Sequence, residues 1–275
     1  MKYTVQSGKY IFKNFLYIFP FAIIPAFCFC LSTDDAAIHD IYKTLLALNP
    51  NGIHFDCLFR AISMLNFGSW SSSIAGTLGI VLIVICVSMM MALIEKHMRI
   101  GKRTYTGVFS KLNDNFISTC GYALLVLAIY ELWTLITSAL VFALSRIPIV
   151  ALAYSLMGIV FLGMHLLLIY AIGIIYLWLP CMQITGFRAI EALYYSYNLI
   201  RKAQWKMLLG QLFCLLFTEA IVAAVAIFAP DTLLFHLIGT GLYSIIIMIY
   251  CVRMFIAYFD RENLERADLH KYYRH

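Results

Sequence analysis

Three ionisable side chains lie near the middle of long apolar runs of this 275-residue chain: Glu131, His165 and Glu219. A charged group at the centre of a bilayer costs ~2.5–3.5 kcal/mol on insertion scales, so such residues mark a functional site by default. Glu131 and Glu219 sit near the middle of runs that should cross in the same direction. His165 is near the middle of a run between them. At one depth, two carboxylates and an imidazole could relay protons or hold a cation, as in a small secondary transporter or channel. The same groups could instead join helices, because a neutral Glu hydrogen-bonded across an interface is packing glue. Tyr130, Trp133 and Thr134 beside Glu131, and Thr218 beside Glu219, are the local partners available for that role.

Other chemistries find little support. There is no phosphate-binding G-x-x-x-x-G-K-[ST], no H-E-x-x-H and no G-x-S-x-G. His39, Asp40, His54 and Asp56 are of metal-ligating types, but their spacing fits no metal motif. The 8 cysteines include no C-x-x-C pair and read as small buried hydrophobes rather than as disulfides or zinc ligands. No catalytic residue, cofactor or metal is therefore expected, and the chain is read as non-enzymatic.

The elements that must position the three residues follow from hydropathy. The chain is 63% hydrophobic and 12% charged, with a mean hydropathy of +0.87. No soluble fold of this size hides that much apolar surface. Runs at about 15–31, 74–94, 118–142, 147–180, 207–229 and 233–258 are each long enough to span a bilayer. The fold expected is an all-α, polytopic bundle of six transmembrane helices forming one domain over 1–275. The first run could imitate a signal peptide, but its length and Pro20 and Pro25 favour a retained, kinked span. The run 147–180 would be ~50 Å long at ~1.5 Å per residue, well beyond a ~30 Å hydrocarbon core. It should tilt, project or bend at Gly158, Gly163 or Gly173.

Charge orients the bundle. Of 20 Lys and Arg, all but Lys43, Arg60 and Arg146 fall at the termini, in loops 95–117 and 181–206, or at the end of the last span. Basic residues near span ends stay in the cytoplasm, which places both termini inside, in the cell membrane. The net charge of +6 then reads as topology and attraction to anionic lipid on the cytoplasmic face, not as nucleic-acid binding. Arg253 should snorkel to the inner interface as an anchor. Tyr176, Trp178, Trp205 and Tyr258 should join interfacial belts.

Outside the spans, residues 3–14 look like an amphipathic lead-in. The acidic loop 32–73 should hold short surface helices at 41–48 and 55–67, separated by the turn Asn49-Pro50-Asn51-Gly52. Val108, Phe109, Leu112 and Phe116 recur at helical spacing, as do Ile190, Leu193, Tyr194, Tyr197 and Ile200. An offset of 85 residues aligns Gly101 with Gly186, Arg103 with Arg188 and Asn113 with Asn198, as a parallel internal repeat would. Ala75 and Gly79, Gly158 and Gly163, and Ala220 and Ala224 are small pairs suited to helix contacts. The tail from Asp260 should extend the last helix into solvent.

In its second half the chain pairs a long span ending in Leu179-Pro180 with an amphipathic stretch carrying Ala192, Ser196 and Leu199. Trp205-Lys206 opens the next span, and Tyr258-Phe259-Asp260-Arg261-Glu262 follows the last. This order resembles a broad group of six-span bacterial membrane proteins. The group includes the membrane domain of some glycerophosphodiester phosphodiesterases and the YciC-like proteins. The resemblance implies a compact helical bundle in the cytoplasmic membrane. The hydrolase barrel of the phosphodiesterase members has no counterpart here, so their activity is not implied. The function expected is an accessory or scaffold role, or one exerted on the lipid environment, with a membrane protein as possible partner. The alternative is transport through Glu131, His165 and Glu219.

Overall fold

The computed structural model describes residues 2–66, 68–201, 204–228 and 233–269. Six helical segments are long and apolar enough to cross a membrane. They are α2 (Phe15–Ser32), α5 (Trp70–Ile100), α6 (Val108–Ser145), α7 (Val150–Ile175) with its continuation α8 (Trp178–Thr185), α10 (Gln204–Phe228) and α11 (Leu233–Arg261). No strand occurs among the described residues. Helix α1 (Lys2–Lys13) packs against the end of α11, where Asp260 accepts hydrogen bonds from Lys2 Nζ (3.0 Å) and the Tyr3 hydroxyl (2.6 Å). The two terminal segments therefore share one end of the bundle, as an even number of crossings requires. This end is called the terminal end below, and the opposite one the loop end.

Helices α2, α5 and α11 form the centre. Small residues let them approach. A Cβ on Gly79 would lie 3.2 Å from the Phe29 ring, and one on Gly239 would lie 2.6 Å from Cys30 Sγ. The most apolar windows of α2, α5 and α11 are 50%, 50% and 61% buried, against 28%, 28% and 22% for α6, the α7–α8 segment and α10. The latter three are thus peripheral, and they carry most of the surface offered to lipid. Gly158 and Gly163 lie on that surface with open space where a Cβ would stand, and Ala220 is exposed too. Of the small pairs, only the one containing Gly79 makes the tight contact expected of it. All 8 cysteines are free thiols.

The helix of the long fourth run breaks after Ile175, two residues past Gly173 and well away from Gly158 and Gly163. Pro180 explains the position, because its ring clashes with the carbonyl four residues back, that of Tyr176, and it brings no N–H. The helix stops there and restarts at Trp178, leaving Pro180 in a first turn, where proline is tolerated. Tyr176 and Tyr258 are not belt residues. Both are buried in the terminal-end core. Trp205 lies where no side chain is described.

The connections also depart from expectation. Asp34 caps α3 (Asp35–Leu46) by accepting from the Ala37 amide (2.9 Å), so this helix starts earlier than its apolar stretch. Helix α4 (Phe55–Ile62) ends early, and 63–66 is non-helical. Val108 to Phe116 belongs to the continuous α6, whereas α9 (Ala189–Arg201) is separate. The expected repeat therefore reduces to a shared local device. Gly101 and Gly186 both end a helix in the left-handed region, at φ 77° and 70°. The tail does not extend α11 either. Asn263 takes φ 54°, the Leu264 amide bonds back to the Phe259 carbonyl, and 264–269 returns to α5.

Candidate functional site

The structure separates the three intramembrane residues into two arrangements. His165 and Glu219 meet directly, with Nε2 3.1 and 2.9 Å from the two carboxylate oxygens. His165 Nδ1 lies 2.8 Å from the Phe161 carbonyl. A carbonyl only accepts, so Nδ1 carries a proton. Nε2 then either donates to a carboxylate or accepts from a protonated Glu219. The pair is electrically neutral in both states, which is what a low-dielectric site requires. The imidazole is fully buried and edge-on to Trp133, with ring centroids 4.9 Å apart. Trp133 is itself fixed by donating to the Met164 carbonyl (2.6 Å). The pair thus ties α7 to α10, and Trp133 ties α6 to α7.

Glu131 makes no bond to that pair. Its carboxylate accepts from Ser63 Oγ (2.8 Å) and from the amides of Met64 (3.0 Å) and Leu65 (3.2 Å). Its neighbour Tyr130 donates to the Ile62 carbonyl (2.8 Å). Ser32 at the end of α2 donates to the Met64 carbonyl (3.0 Å), and Ser73 in α5 to that of Asn66 (2.8 Å). The non-helical segment 63–66 thus enters between helices with backbone groups satisfied by α2, α5 and α6. Ser63 and Asn66 are buried while Met64 is exposed, so these bonds satisfy the segment's backbone where a helix does not. Glu131 is the hub, because one carboxylate can accept from several donors at once.

None of the local partners expected for the carboxylates is used. Trp133 and Tyr130 bond to carbonyls, Thr218 bonds within its own helix to Cys214, and Thr134 Oγ1 has no partner among the described residues. The residues that sequence reasoning misses are Ser63, Met64 and Leu65. Their stretch reads as the end of a surface helix, and two of the three bonds to Glu131 are from backbone amides, which carry no side-chain signature. No group of His, Cys, Asp and Glu suited to a metal occurs among the described residues. His39 approaches the Ala226 carbonyl (3.2 Å), while Asp56 lies 3.7 Å from Arg60.

A second site lies at the terminal end. A cavity of about 590 Å³ opens between α1, the α5–α6 turn and the returning tail. Lys9, Lys13, Lys102, Arg103 and Arg266 line it, with Asp268 the only acid. Asp268 is already paired with Arg266 (2.8 Å), and Arg103 is anchored to Asn14 (2.7 Å) and the Lys13 carbonyl (2.9 Å). Burial pushes the Tyr10 phenol well above its usual range, so its hydroxyl stays protonated, hydrogen-bonded with His97 Nδ1 (2.8 Å) in the lining of the cavity. Lys9, Lys13 and Lys102 have no ion-pair partner among the described residues. Large apolar side chains flank this end: Phe12, Leu16, Phe109, Ile190 and Tyr194 are all more than two-thirds exposed.

Arg253 departs furthest from expectation. It does not snorkel to an interface but is 1% exposed, enclosed within the bundle. Compared with known protein families, curated proteins and solved structures, the chain has no match.

Proposed function

We propose that the chain is a non-enzymatic accessory protein of the cytoplasmic membrane that acts through its lipid environment, gripping anionic headgroups at its terminal end. The observation that carries this reading is the basic cavity. Three lysines without ion-pair partners among the described residues converge with Arg103 on a hollow at an end that also carries exposed apolar side chains. If that end faces the cytoplasm, as the distribution of Lys and Arg implies, it meets the leaflet rich in anionic lipid. Phe12, Phe109, Ile190 and Tyr194 would then enter the headgroup–acyl boundary. Two of the three basic residues at the loop end are held within the fold. At the loop end, Arg60 sits 3.7 Å from Asp34 and from Asp56, and Arg146 donates to the Asn51 and Ile53 carbonyls. The resemblance to six-span bacterial membrane proteins fits the same reading.

The test is lipid-dependent stabilisation of the purified full chain. Short-chain phosphatidylglycerol should raise the melting temperature and phosphatidylcholine should not. Replacing Lys9, Lys13 and Lys102 together by Gln should weaken phosphatidylglycerol binding roughly a hundredfold, at ~1 kcal/mol per basic residue. Equal responses to the two lipids would refute the proposal.

A second reading, a small secondary transporter or channel, draws on the His165–Glu219 pair, which has two neutral protonation states and could pass a proton between them. Proteoliposome flux that is lost in Glu219→Gln would establish it. Flux absent, or unchanged in Glu131→Gln and Glu219→Gln, would remove it. The saturation of Glu131 by three donors favours the structural role.

A further inference from the structure

Arg253 is the largest fully buried side chain among the described residues. Its Nη2 donates to the Met207 carbonyl, but Nε meets no acceptor. No acidic side chain pairs with it among the described residues; its field falls instead on the neutral groups of Tyr176, Tyr250 and Cys214. Arginine cannot shed its proton in a protein. A lysine could escape the cost of burial by neutralising, whereas this guanidinium needs a compensating charge.

The same side chain lines a partly open cavity of about 300 Å³ between the helices. Gln211, Thr119 and four tyrosines, Tyr250 among them, line it with Arg253, and the rest of the lining, including Ile83, Val126 and Ile172, is mostly apolar. The cavity extends to Met64 and Tyr130, so it reaches the segment held by Glu131. An apolar hollow with a few convergent polar groups is the usual form of a small-molecule site, and this volume is at the low end of the range. It suits one acyl chain better than the two chains of a phospholipid.

We propose that this cavity binds a single-chain anionic amphiphile, with its headgroup on Arg253 and its chain along the apolar wall. A carboxylate and a phosphate monoester both match the guanidinium fork, so the recognising chemistry is shared by fatty acids and lysophospholipid-type molecules. The inference deepens the lipid reading above but uses none of the residues of the basic cavity, so the two fail separately.

Laurate, dodecyl phosphate and dodecanol serve as probes, titrated into the full chain in a neutral detergent and followed by native mass spectrometry. Both anions should bind the unmodified protein, and dodecanol should bind at least ~30-fold more weakly, the scale for losing one partner of a buried charge pair. Arg253→Gln should lose affinity for the anions by a similar factor, and Arg253→Lys by less. Ala123, which also lines the cavity, offers an independent variant. Ala123→Phe should block both anions while leaving Arg253 in place, and it decides the matter if Arg253→Gln does not fold. The variant lacking Lys9, Lys13 and Lys102 should bind laurate normally. Stronger binding of laurate would point to fatty acids, and of dodecyl phosphate to lysophospholipids. Dodecanol binding as well as laurate, no anion binding at all, or Ala123→Phe binding like the unmodified protein would overturn the proposal.

Discussion

At the terminal end, helices meet through large side chains: Met90, Met91, Leu93 and Ile94 of α5 pack with Ile18 of α2 and with Met254, Phe255 and Phe259 of α11, all essentially free of solvent. At the loop end, the buried apolar residues fall into two small clusters, one around Phe235 and Val222, the other around Ile53 and Met157. Cohesion there comes from directed polar contacts: Glu131 on the segment 63–65, His165 on Glu219, and Arg146 on the loop carbonyls. The difference shows where a membrane bundle needs hydrogen bonds. Lipid tails are as apolar as Leu, so apolar packing holds helices only when shapes interlock, and small clusters leave polar bonds to fix geometry. The intramembrane carboxylates are the fasteners of the weakly packed end.

The strongest test of the contrast is Phe255→Ala. Emptying a fully buried aromatic site should cost ~3–5 kcal/mol, read by denaturant or steric-trap unfolding in bicelles, and should loosen the terminal end as a whole. Glu131→Ala comes next. Three bonds from the 63–65 segment, taken at ~0.6 kcal/mol each, the mean for interhelical bonds in a bilayer, give a loss of about 2 kcal/mol, with limited proteolysis appearing near 63–66. A double-mutant cycle on His165→Ala and Glu219→Ala should return a coupling of ~0.6–1.7 kcal/mol. A much larger value would mean that the pair is charged and poorly compensated rather than a neutral clasp. Smallest is Lys2→Ala. Lys2 and Asp260 are both substantially exposed, so the loss should be below about 1 kcal/mol and should shrink with added salt.

The six spans are legible in the sequence because hydropathy depends on single residues summed along the chain, and a bilayer imposes their length. Glu131, His165 and Glu219 stand out for the same reason, since a charge is conspicuous in an apolar run. Their partners do not stand out. The bonds to Glu131 come from a loop more than sixty positions earlier, two of them from backbone amides, so only the folded chain brings them together. Arg253 defeats sequence reasoning for a related reason. Snorkelling assumes an open path to the interface, and α10 lies across it, its Met207 carbonyl bonded to the guanidinium. Pro180 is plain in the sequence, but a long apolar run makes its glycines the obvious hinges; the break falls near only Gly173, and the proline's missing N–H and its clash with Tyr176 account for its position.

The most direct test of the structural role of Glu131 is hydrogen exchange at the two amides it accepts from. In the unmodified protein, Met64 and Leu65 should be protected. Glu131→Ala should accelerate exchange at these amides and leave the terminal-end helices at their original rates. Fast exchange at Met64 and Leu65 in the unmodified protein, or no change on removing the carboxylate, would contradict the claim that Glu131 is there to hold the loop end closed.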